Sequence, residues 1–107
     1  DFYYTNLIVA KDSSSALMFD YNLLGKGYAY ADVRNVLSSL SKEAGAAFLE
    51  AYGAVDPLEQ ALDDVVSVVT ALFFACQREP FPRWAQGLLQ EMKTSMTGNI
   101  ANLRRFL

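Results

Sequence analysis

The chain has 107 residues, 52% of them hydrophobic and 20% charged, with a net charge of −3 and no histidine. This balance excludes a disordered tail and a general basic field for DNA or RNA. A single cysteine, Cys76, excludes an internal disulfide and a cysteine-rich metal site. One domain over residues 1–107 is expected, able to bury roughly 65% of its unfolded surface. The longest strongly apolar run, "VVSVVTALFFAC" at 65–76, falls short of the ~20 residues that span a bilayer, so it reads as a core helix. No signal-peptide pattern is visible, and a start at Asp1 is expected of a processed protein or of a cut fragment. Without histidine no side chain has an ordinary pKa between about 5 and 8, so the charge state should hold through moderate acidification.

In chain order, Leu7, Ile8, Leu17, Met18, Tyr21 and Leu24 suit a helix closed by Gly25, which "KDSSS" can break, with Asp12 or Ser13 capping a second piece. Phe2, Tyr3 and Tyr4, with Tyr28 and Tyr30, either form a stacking or pigment-binding face or, the reading preferred, cap a bundle end with hydroxyls in water. A helix is expected from about Ala31 to Tyr52, with Val33, Val36, Leu37, Leu40, Ala44, Ala47, Phe48 and Ala51 on one face and Gly53 at its end. Ser41 is where it can be interrupted, since "SKEA" can restart a helix.

"AVDPLEQAL" begins the strongest element: Asp56 as N-cap, Pro57 as first helical residue, Glu59 as the return half of a capping box. Leu58, Leu62, Val65, Val69, Leu72, Phe73 and Cys76 keep helical spacing to about Gln77, and Val66, Val68 and Phe74 widen the stripe nearly all round. So wide a stripe predicts the most buried helix, with neighbours on several sides. After "EPFPRW", Trp84, Leu88, Met92, Met96, Ile100, Leu103 and Leu107 predict a last helix, weakened by about 1 kcal/mol at Gly98. Three helices of about 21–25 residues, roughly 31–37 Å each, joined by short connectors predict an all-α, up-and-down four-helix bundle with no strand.

The chemistry points to binding and away from catalysis. There is no histidine base, Cys76 is expected to be a buried inert thiol, and Asp63 and Asp64 point about 100° apart, as a solvated strip near a helix start. No carboxylate set suits a di-metal site, and "GKG" at 25–27 reads as a turn, so neither metal nor cofactor is expected. Pro80 and Pro82 are explained as helix stop and start, and Phe81 and Trp84 as plugs for the bundle end. Arg78 and Arg83 are not required by folding. Solvated arginines are the bland reading; the sharper one makes them bidentate anchors for a partner's carboxylates, with Lys26, Arg104 and Arg105 as further cationic points. Positive spots on an acidic body suit docking to a specific acidic surface better than to a uniform polyanion.

"YADVRNVLSSL", "FLEAYGAVDPL" and "VVTALFFACQREPFPRWAQGLLQEM" resemble, over about residues 28–95, the small extrinsic and assembly proteins on the lumenal side of photosystem II. "LSSLSKEAGAAFL" leaves no room for the assembly protein's loop between its first two helices, and 27 residues precede the match. Both features suit a divergent extrinsic subunit, PsbQ-like or the additional diatom type. The resemblance implies a four-helix bundle bound peripherally, without insertion, at the thylakoid lumen. There it would touch the photosystem II core and other extrinsic subunits, shield the manganese-calcium cluster and help retain calcium and chloride, with no catalysis. Arg78, Arg83 and Lys26 would dock, beside Phe81 and Trp84. The rival readings are a generic helical interaction or adaptor module cut from a longer chain, and an apolar-ligand carrier with a cavity lined by Met92, Met96 and Phe73. An enzyme is the least favoured.

Overall fold

The computed structural model describes residues 4–20 and 25–107, which are mostly helical with one small hairpin. In chain order they form β1 (Leu7–Val9), β2 (Ala16–Met18), α1 (Ala29–Ser39), α2 (Lys42–Tyr52), α3 (Pro57–Cys76), α4 (Ala85–Thr94) and α5 (Met96–Leu103). The chain divides into two compact units, residues 1–54 and 55–107. Among the described residues no helix is long and apolar enough to cross a membrane.

The N-terminal unit opens with an antiparallel hairpin in place of the expected helix, pairing Leu7 with Met18, Ile8 with Leu17 and Val9 with Ala16. The loop fixes that register. The Ala10 N–H donates to the Ser15 carbonyl at 2.9 Å, and the Asp12 carboxylate accepts from the Ser14 hydroxyl at 2.7 Å and the Ser14 N–H at 3.1 Å. Those two bonds, the hydroxyl's first, hold the Asp12 carboxyl below the ordinary aspartate range. Ser13 takes a left-handed conformation at φ 58°, so "KDSSS" closes a turn and caps no helix. Tyr21 and Leu24, like Phe2, Tyr3 and the Tyr4 side chain, lie outside the described residues, while Tyr28 and Tyr30 are half-buried.

The helix expected over 31–52 is two helices. Leu40 is extended at φ −110°, ψ 158°, and the Ser41 hydroxyl accepts the Ala44 N–H at 3.3 Å as a new N-cap. Ser38 and Ser39 both donate back to the Asn35 carbonyl, competing with the last turn of α1. The break changes which face of the second half turns inward. Val33 and Val36 are buried as expected, but in α2 the buried position is Gly45, and Ala44, Ala47 and Ala51 are exposed. A Cβ on Gly45 would stand 3.3 Å from a Leu37 methyl, so glycine is what lets α1 and α2 approach. Gly53 ends α2 at φ 94°, ψ −155°, a region nearly closed to other residues. Gly53→Ala should therefore destabilise the N-terminal unit by about 1–3 kcal/mol, a loss to be read as a lower urea midpoint at unchanged slope.

The C-terminal unit is built on α3. Its start is the one expected: Pro57 in the first turn and the Asp56 carboxylate accepting the Leu58 N–H at 2.8 Å. Val68, Leu72 and Ala75 of α3 and Ala85 of α4 form a buried cluster, onto which Phe81, Leu88, Met92 and Met96 pack. The Asn99 side-chain amide of α5 donates to the Asp64 carbonyl of α3 at 3.2 Å. The last helix is interrupted at Ser95, which bends to φ −113°. The Thr94 hydroxyl donates back to the Gln90 carbonyl at 3.0 Å, an interaction that bends helices.

Candidate docking surface

α3 gives out at Gln77, and the Arg78 N–H still reaches the Ala75 carbonyl at 3.1 Å. The chain then turns through Glu79 and Pro80, joined by a cis peptide bond, and re-enters helix when the Ala85 N–H donates to the Pro82 carbonyl at 3.1 Å. Proline lacks an N–H and cannot continue α3, so the corner follows directly from the sequence. Phe81 is half-buried against the cluster of Val68, Leu72, Ala75 and Ala85, as a plug should be. Trp84 is not a plug. It is 53% exposed, because it is the residue before α4 and the following Ala85 takes the buried position.

Arg78 and Arg83 are both exposed, and among the described residues neither guanidinium is held in an ion pair. With the exposed Trp84 they lie on one short connector, whose Phe81 packs on the buried cluster. Such a set offers bidentate hydrogen bonds to carboxylates and a flat amphipathic ring for contact area. Lys26 is exposed in the N-terminal unit, on the segment leading into α1, and Arg104 and Arg105 are exposed after α5.

Three sequence expectations are corrected here. Asp63 is 1% exposed, so it and Asp64 are not a solvated strip; Asp64 alone faces water. Cys76 is exposed, because Ala75 beside it takes the inward position at the end of α3. Met92 and Met96 pack on the buried cluster whereas Phe73 is 62% exposed, so the three do not line one cavity. Among the described residues no group of three or more histidine, cysteine or acidic side chains is gathered as a metal would need.

Part of the stripe expected to be buried forms instead the outer face of α3. Val66, Val69, Phe73 and Phe74 are all exposed, and the two phenylalanine rings meet edge to face at 5.5 Å. Their signal is the stripe running nearly all round the helix, which predicts neighbours on several sides; α4 and α5 cover one side. No family model, curated protein or solved structure matches this chain.

Proposed function

We propose that this chain is a non-catalytic docking protein that holds an acidic protein surface through the corner between α3 and α4. The observation that carries this reading is the pair Arg78 and Arg83, exposed and outside any ion pair among the described residues, with the exposed Trp84 on the same corner, which packs through half-buried Phe81 and buried Ala85. A guanidinium with no ion-pair partner among the described residues contributes nothing evident to the fold, and a fixed corner lowers the entropy lost when it binds.

The partner proposed first is the lumenal face of photosystem II, with the chain as a peripheral extrinsic subunit supporting oxygen evolution in the thylakoid lumen. What supports this is the sequence resemblance over about residues 28–95, together with the mostly helical fold. An up-and-down four-helix bundle is the architecture such a subunit would have, and it remains part of the proposal. The test is co-sedimentation with photosystem II particles stripped of extrinsic subunits, at low salt and at roughly 1 M salt. Stoichiometric binding that salt reverses, with recovery of oxygen evolution, is the expected result. Failure to bind at low salt removes photosystem II as the partner and leaves an adaptor module, the second reading, which the uncovered outer face of α3 favours.

A further inference from the structure

The apolar residues of α3 form two stripes, each spaced 4-3-4-3 and set one residue apart. The first is Ala61, Val65, Val68, Leu72 and Ala75; all but the half-buried Val65 are buried. The second is Leu62, Val66, Val69, Phe73 and Cys76, half-buried at its first position and exposed at the other four. Alternating steps of four and three are the spacing with which one helix faces another over several turns. The first stripe has its partners inside the unit, whereas Val69 and Phe73 of the second remain 46% and 62% exposed.

The charges along α3 say what kind of helix fits the second stripe. From Val65 to Gln77 there is no charged residue. Before that stretch every charge is negative (Asp56, Glu59 and Asp64, with Asp63 buried), and beyond it stand Arg78 and Arg83, with Glu79 between them. A second α3 laid antiparallel would bring each acidic start towards the other's arginine-bearing end, while the uncharged middles meet without repulsion. A parallel copy would set acid against acid and arginine against arginine. The helix dipoles favour the antiparallel order as well.

We infer that the outer stripe of α3 is a self-association face, on which a second copy of this chain packs its own α3 antiparallel about a two-fold axis between Val66 and Val69. In that register Val66 meets Val69 of the other copy, Phe73 meets Leu62, Arg78 comes to the level of Pro57, and Glu79 to that of Asp56. Phe74 lies beside the seam and widens the apolar contact through its ring contact with Phe73. The two copies of Cys76 stand on opposite sides of the axis, 17 residues apart along the helices and so roughly 25 Å from one another. This pairing goes beyond the docking proposal, and its apolar seam uses none of the corner's residues.

The test uses the whole chain in sedimentation equilibrium from roughly 1 to 200 µM, a range that brackets micromolar association. The native chain should form a dimer. Phe73→Asp and, separately, Val69→Asp should each weaken it about 100-fold or more by placing unpaired carboxylates in an apolar seam, with helicity by circular dichroism unchanged. Under mild oxidation the native dimer should not become cross-linked through Cys76. A monomer throughout the range overturns the inference. So does a dimer that survives both aspartate variants, or one that oxidation readily locks through Cys76, since that bond requires the two thiols at one level, which this register forbids.

Discussion

Leu72→Ala should remove much of the stability of the C-terminal unit. Leu72 is buried among Val68, Ala75 and Ala85, with Phe81, Leu88, Met92 and Met96 closing over them. Deleting a buried leucine side chain costs about 2–5 kcal/mol, through lost transfer energy and the cavity left behind. A unit the size of residues 55–107 holds roughly 3–8 kcal/mol in total, at the usual stability per residue. The variant should therefore lose between about a quarter and all of its urea midpoint, followed by helical ellipticity, with the slope preserved. The flexible thioethers of Met92 and Met96 can partly refill the space, which favours the lower half of the range. A loss below about 0.5 kcal/mol, as at ordinary surface positions, would mean that this cluster does not organise the unit.

The second large effect concerns binding alone. Replacing Arg78 and Arg83 together by glutamate should weaken attachment to an acidic partner by about 10- to 1,000-fold, or roughly 1.4–4 kcal/mol. Both side chains are exposed and take no part in an ion pair among the described residues, so the urea midpoint of the variant should stay within about 0.5 kcal/mol of the native chain. The split between the two readouts is the point of the experiment. A loss of binding with unchanged stability assigns the arginines to the partner. Retained binding makes the corner a connector only, and a fall in both would show that the guanidiniums brace the turn.

The legible parts of the fold are those set by local backbone chemistry. Asp56 and Pro57 begin α3 because a carboxylate can take an orphan N–H and proline needs none, and both facts are visible in "VDPLE". Gly53 ends α2 for a similarly local reason, and Ser41 marks the break where its hydroxyl caps the next helix. The hairpin was hidden because each strand is three residues long, too short for alternation to show against a helical period. Its register comes from hydrogen bonds inside the Ala10–Ser15 loop, which spacing alone does not reveal. The bend at Ser95 is not legible in the sequence because Met92, Met96, Ile100 and Leu103 keep helical intervals straight across it.

The candidate site was legible to the same degree. That Arg78 and Arg83 would be exposed follows from their place at a proline corner. That Trp84 and Cys76 would face outward does not, since it depends on the neighbouring alanines, Ala85 and Ala75, taking the two inward positions. Small residues make the closest approach between helices, so the large ones beside them are displaced towards solvent.

The order of contacts along the chain has a consequence in time. β1 pairs with β2, α1 meets α2, and α3, α4 and α5 meet one another, so the most extensive pairings join sequence neighbours or next-neighbours. Few long loops have to close before favourable contacts form, and closing a loop of about ten residues takes only about 10–100 ns. A chain emerging from its point of synthesis can thus complete the hairpin and the α1–α2 pair before α3 exists. The apolar run at 65–77 then meets α4 and α5 as soon as they follow, and its outer stripe stays open until a second molecule arrives.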